Sequence, residues 1–138
     1  MLNKTTQAAV GRLQERGLRP SPQRLAVYLY LCGTKSHPTA EMVYKALVPE
    51  YPTLSLTTVY QTLESLHESG LALKITIEDG KMRFDADIVN HGHSKCTKCD
   101  TVFDFPYSNS TTFPPPPTGF VIKETHLYYK GLCSKCSA

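Results

Sequence analysis

His91 and His93 stand two residues apart, and Cys96 and Cys99 follow as a Cys-x-x-Cys pair that Cys133-x-x-Cys136 answers near the C-terminus. On an extended backbone alternate side chains share one side, so the two imidazoles could share one ion. Four thiolates from two matched pairs suit a closed tetrahedral Zn²⁺ site that ties two ends of a small sheet together. Two metal sites are therefore expected: a thiolate site that holds the fold and an imidazole site that senses.

Each pattern has competing uses. Two Cys-x-x-Cys pairs could form disulfides or hold an iron–sulfur cluster. A thiol redox role would need one reactive pair in a βαβ setting, and two pairs matched across the chain speak against it. The His-x-His pair has an ordinary surface or core reading. However, Asp85 and Asp87 precede it and Asp100 and Asp104 follow, placing carboxylates within reach of an ion. Nitrogen plus carboxylate ligation favours Fe²⁺, Mn²⁺ or Zn²⁺ and leaves room for an open position. An ion held there, beside the connection between two halves, would fix their relative angle. The zinc deaminase signature needs His-x-Glu, and no glutamate accompanies His91 or His93, so no enzyme is expected.

A chain of 138 residues with 41% hydrophobic content suits one domain or two small ones, and two small ones are expected here. No apolar run approaches the roughly 18 residues of a membrane-spanning helix, and no signal-peptide pattern opens the chain, so a cytoplasmic protein is expected. In a reducing compartment five cysteines read better as metal ligands than as disulfides. The net charge of +3 is small, but Lys4, Arg12, Arg16, Arg19 and Arg24 accompany only Glu15 up to Arg24. Such a basic leading segment contacts phosphates or forms a solvated helix face.

The elements that must position these groups follow from period and caps. Ala9, Val10 and Leu13 predict a helix over 6–16, ended by Gly17. Ser21 and Pro22 open a second with Leu25, Tyr28, Leu29 and Cys32 on one face, which makes Cys32 a small core residue. His37 precedes Pro38 in a loop, and Thr39 caps a third helix carrying Val43, Ala46 and Leu47. Ser55 opens the most regular helix, with Leu56, Val59, Leu63 and Leu66 on one face until Gly70. Its other face presents Thr57, Tyr60, Gln61 and Glu64, mostly short polar groups that suit base edges in a major groove. Glu64 is the exception, an acid near phosphates.

Runs at 71–77 and 82–85 flank Asp79-Gly80, a hairpin signal. Helices followed by a hairpin spell a winged helix-turn-helix, with a plain helical domain plus hairpin as the competing pattern. Beyond a connection at 86–90, strands are expected at 102–105 and 120–125, with 127–132 a possible continuation. Between them 108–118, with Pro114 to Pro117, should be extended and exposed.

Over nearly its whole length the chain resembles the ferric uptake regulator (Fur) superfamily. The resemblance rests on the run Arg19 to Arg24, His37-Pro38-Thr39-Ala40-Glu41, Thr57-Thr58-Val59-Tyr60, His91-x-His93 with Cys96-x-x-Cys99, and Gly131-Leu132-Cys133-x-x-Cys136. It implies an α+β chain: a winged-helix DNA-binding domain over 1–84, a hinge at 85–90, and a small α/β dimerisation domain over 91–138. It also implies a homodimeric repressor of AT-rich operator DNA, with structural zinc on Cys96, Cys99, Cys133 and Cys136. Arg19, Thr57, Tyr60 and Gln61 are its expected DNA contacts. By the same resemblance the regulatory Fe²⁺ or Mn²⁺ ligands of the peroxide-sensing branch fall on His37, Asp85, His91, His93 and Asp104. Iron-sensing members usually carry glutamate where Asp104 stands. Hydrogen peroxide would be the signal, and His37 and His91 the oxidation-sensitive ligands. A branch that senses iron or zinc itself is the alternative. Asn90 and Gly92 stand where a second regulatory site would have ligands, His126 is at most a remnant of it, and family members usually have a helix where the proline run lies.

Overall fold

Each helix opens on a side chain that caps it. Asn3 Oδ1 accepts from the Thr6 N–H at 2.7 Å, Ser21 Oγ from Arg24 at 3.3 Å, Thr39 Oγ1 from Met42 at 3.3 Å and Ser55 Oγ from Thr58 at 3.0 Å. These bonds satisfy amides that the first turn leaves without a carbonyl. The computed structural model describes residues 3–89, 91–108 and 110–138, in which the helices are α1 (Lys4–Glu15), α2 (Pro22–Cys32), α3 (Ala40–Leu47) and α4 (Leu56–Glu68). The strands are β1 (Leu73–Glu78), β2 (Lys81–Asp85), β3 (His91–Cys96), β4 (Val102–Pro106) and β5 (Tyr128–Gly131). None of the described helices is long and apolar enough to cross a membrane.

The chain divides into two units, Met1–Ile88 and Val89–Ala138. In the first, Leu13, Val27, Leu31, Val43, Val59, Leu63, Leu66 and Phe84 form a closed core. Each such side chain contributes roughly 1.5–3 kcal/mol by leaving water. α1 starts earlier than its apolar period suggests because Asn3, not a later residue, supplies the cap. The buried face of α2 is Ala26, Val27, Tyr28 and Leu31, because the helix is contacted by α1, α3 and α4 at once. Cys32, expected in the core, is exposed. At the end of α4 Gly70 takes φ 82, and the Gly70 and Leu71 amides reach back to His67 and Leu66 at 3.0 and 2.8 Å. This left-handed closure turns the chain into the hairpin. β1 and β2 pair antiparallel around Asp79-Gly80 with Glu78 opposite Lys81.

The second unit is a three-stranded sheet in the order β4-β3-β5, antiparallel on one side of β3 and parallel on the other. Among its described residues there is no helix, and the described part of 108–118 is exposed and irregular, as four consecutive prolines require. The strand expected over 120–125 is not formed. Phe120, Val121 and Ile122 are instead 62, 72 and 52% exposed, with no neighbouring strand among the described residues to take their backbone groups.

Gly92 on β3 lies opposite Phe105 on β4, and a Cβ there would sit 2.1 Å from the Phe105 ring. That ring also stacks on Tyr129 of β5, centroids 5.2 Å apart, so it lies over the Gly92 position and could make room only by giving up that stacking. Gly92→Ala is expected to lower the stability of this unit by about 1–3 kcal/mol, as overpacking does, read as a fall in urea midpoint at constant slope.

Candidate metal centres and nucleic-acid face

The four cysteines come together within the second unit. β3 ends on Cys96, a tight turn through Asp100 at φ 63 carries Cys99, and β5 delivers Cys133 and Cys136 past Gly131. Their sulfur atoms all lie within 4.8 Å of one another, with Cys99 and Cys133 Sγ 3.9 Å apart. Tetrahedral Zn–S bonds of ~2.3 Å place sulfurs about 3.8 Å apart, so the donor set fits zinc. The amides of Cys99, Cys133 and Lys98 aimed at Cys96 bring its thiol down to about 6. Cys136, whose S–H donates to Cys133 and which is crowded by Cys96 and Cys99, is pushed up to about 12. Four sulfurs this close cannot all be thiolates unless a cation sits among them.

The imidazoles are ordered by the same sheet. β3 places His93 directly across from Asp104 on β4. His93 Nε2 is 3.4 Å and His91 Nε2 3.7 Å from Asp104 Oδ1, and the two rings are 4.6 Å apart. His91 Nδ1 lies 2.6 Å from the Val89 carbonyl, to which it donates, leaving Nε2 with the lone pair that binds metal. Two nitrogens and a carboxylate oxygen therefore converge on the sheet. Asp100 does not join them, since it pairs with Lys95 Nζ at 3.2 Å. His126 bonds Glu124 and the Tyr128 hydroxyl, each at 3.1 Å. Asn90 lies outside the described residues.

His37 and Asp85 belong to the first unit. Both are buried, with His37 Nε2 3.6 Å from Asp85 Oδ2, and Asp85 Oδ1 also accepts from the Asp87 amide at 2.9 Å. The sequence places His37 outside the helical region; its φ is 52, a left-handed conformation that costs a β-carbon residue roughly 1–3 kcal/mol. Neighbouring bonds hold it there. Arg83 Nη1 donates to the His37 carbonyl at 3.0 Å, and the Phe84 amide donates to Pro38 at 2.9 Å. Arg83 is in turn paired with the buried carboxylate of Glu78. Sequence reasoning missed Arg83; its one signal was a charge beside Phe84 on a strand with a buried face.

Thr57, Tyr60 and Gln61 are exposed on α4, and Arg19 is exposed ahead of α2. Glu64, the unfavourable acid, is neutralised by Lys74 of β1 at 2.6 Å. The Tyr60 hydroxyl donates to Glu41 of α3, which holds that carboxyl below its ordinary range. Glu41 was also not singled out by sequence as a partner of Tyr60. Gln61 lines a cleft between α2 and α4 with Ser21, Arg24 and Ser65.

The profile described as Ferric uptake regulator family matches residues 15–115. The chain is 37% identical to the peroxide operon regulator of Bacillus subtilis, over 94% of this chain and 91% of that protein. To the peroxide-responsive repressor PerR of Staphylococcus epidermidis it is 33% identical, over 93% and 87%. The solved structure of the Helicobacter pylori ferric uptake regulator Fur matches with a TM-score of 0.73, covering 98% of this chain and 95% of that one. At 16% identity that likeness speaks to fold alone.

Two outcomes follow from the geometry. Cys96→Ser should release zinc and unfold the second unit; retained zinc with unchanged far-ultraviolet circular dichroism would count against a structural role. Arg83→Met strands the Glu78 carboxylate and frees the His37 carbonyl. It is expected to cost about 1–3 kcal/mol in denaturant unfolding and to weaken Mn²⁺ binding ~10–100-fold by calorimetry.

Proposed function

We propose, from the premise that the chain belongs to the ferric uptake regulator family, that it is a metal-dependent, peroxide-responsive repressor that binds operator DNA as a homodimer. The observation that carries the peroxide reading is the short carboxylate of Asp104 held against both His91 and His93. Two relatives matched over most of the chain bear the names peroxide operon regulator and peroxide-responsive repressor.

In this reading His91, His93 and Asp104 from the second unit and His37 and Asp85 from the first share one Fe²⁺ or Mn²⁺, and residues 85–90 form the hinge. Zn²⁺ on the four cysteines is structural. Fe²⁺, when bound, supplies the reducing power that activates H₂O₂ beside its ligands. The chain's own residues do the rest. His91, whose Nδ1 donates to Val89, presents Nε2 in a fixed direction, and Arg83 holds the backbone from which His37 projects. Conversion of either ring to 2-oxo-histidine removes a donor nitrogen, and the two DNA-reading domains of the dimer lose the spacing that fits two half-sites. DNA is read by Thr57, Tyr60 and Gln61 with Arg19 on the backbone. The exposed run Phe120, Val121, Ile122 supports a second copy as the partner of the sheet unit.

Treated with low H₂O₂, the Fe²⁺ protein is expected to lose DNA binding and to gain one oxygen on the peptide bearing His37 or His91, while the Mn²⁺ protein keeps both unchanged. Asp104→Glu should blunt the peroxide response and leave metal-dependent DNA binding intact. Iron protein that neither gains oxygen nor releases DNA would leave a repressor that senses the metal itself.

A further inference from the structure

The chain holds three methionines. Apart from Met1 they are Met42 on α3 and Met82 on β2, and both line one groove of roughly 500 Å³ with Glu41, Tyr60, Lys81 and Arg83. Methionine is ordinarily a core residue, yet Met42 is 40% and Met82 49% exposed. Tyr60, on the same groove, is also 40% exposed and belongs to the proposed base-reading face of α4. Two soft thioethers beside the exposed Lys81 can meet sugar and thymine methyl surface while that ammonium meets phosphate; Arg83, on the same groove, is committed to Glu78 and the His37 carbonyl.

We infer that Met42 and Met82 form a second oxidation site on the DNA-reading groove, one that takes hydrogen peroxide as a two-electron oxidant without any bound metal. The sulfur lone pair attacks one peroxide oxygen, an S–O bond forms and the O–O bond breaks. Hydroxide leaves and takes the proton from the transferred oxygen, giving sulfoxide and water. Sulfur is oxidised by two electrons and the peroxide is reduced by two. Each thioether thereby becomes a polar hydrogen-bond acceptor, facing phosphate and base acceptors where an apolar surface had been. The groove then repels what it held. Sulfoxide reductases reverse the change. The inference rests on the DNA-binding reading and is independent of the regulatory metal.

The test uses the full zinc-containing chain loaded with Mn²⁺, so that iron-dependent histidine chemistry is silent. Binding to alternating poly(dA-dT) duplex is measured before and after millimolar H₂O₂, and peptides are weighed. Both methionine peptides should gain one oxygen, and affinity should fall about tenfold, the size of one mismatched base pair. Methionine sulfoxide reductase should restore it, and Met42→Leu/Met82→Leu, compared with its own untreated affinity, should lose none of it to peroxide. Unchanged binding with both sulfoxides formed, or an equal loss in the leucine variant, overturns the inference alone. Failure of untreated protein to bind overturns the DNA-binding reading beneath it.

Discussion

Both candidate metal centres of the second unit depend on the register of one strand. β3 lies between β4 and β5, and its alternation assigns His91 and His93 to one face and Gly92 and Cys96 to the other. The imidazole site is read from one set of positions and the thiolate site from the next. A slip of one residue would exchange them, removing Asp104 from opposite His93 and Gly131 from opposite Cys96. Three strands of this length are a weak defence against such a slip. Zinc on the four proposed cysteine ligands would supply what the ladder lacks, because it would join the turn after β3 to the turn after β5. The Thr97 amide, bonded to the Gly131 carbonyl at 2.8 Å, continues the pairing up to the metal. A closed site there would keep His91, His93 and Asp104 in line.

In the first unit the corresponding constraint is a strained backbone. His37 is left-handed and precedes a proline, two conditions that oppose each other in a free peptide. Arg83 and the Phe84 amide hold that conformation from the hairpin. The same short stretch then caps α3 with Thr39 and reaches α4 through Glu41 and Tyr60. A change at the imidazole of His37 thus acts on a segment bonded both to the wing and to the recognition helix. The stored strain, of order 1–3 kcal/mol, is small against global stability but comparable to an ordinary coupling free energy.

Local chemistry was legible in the sequence wherever one residue type answers one need. The caps at Ser21, Thr39 and Ser55, the turn at Asp79-Gly80, the glycine closing α4 and the two cysteine pairs all stand as their local rules require. What could not be read was set by partners distant in the chain. The phase of α2 follows from three neighbouring helices rather than from its own period, which is why Cys32 lies outside the core. Apolar residues at 120–122 match strand composition, but composition cannot supply a strand to pair with. Arg83 and Glu41 were missed because nothing in sequence spacing links a hairpin arginine to a carbonyl 46 positions earlier, or a helix-opening glutamate to a tyrosine 19 positions later.

The distribution of sulfur explains why a chain of this cysteine content would sense peroxide through other side chains. Peroxide attacks thiolates, and a thiolate that donates its lone pair to zinc in a closed tetrahedron is both less nucleophilic and more costly to lose. The one cysteine outside that set, Cys32, lies near Tyr28 and Arg12, and desolvation pushes its thiol up. At neutral pH it is almost wholly protonated and a poor nucleophile. With all five cysteines either engaged in the proposed zinc site or protonated, the oxidisable groups left near the working surfaces are imidazoles and thioethers. Imidazole oxidation needs iron beside it and so reports metal and peroxide together, whereas a thioether needs peroxide alone. Placing the first at the metal ligands and the second on the DNA groove would give one fold two thresholds, the reversible one set by the intrinsic reactivity of methionine and the other by which metal is bound.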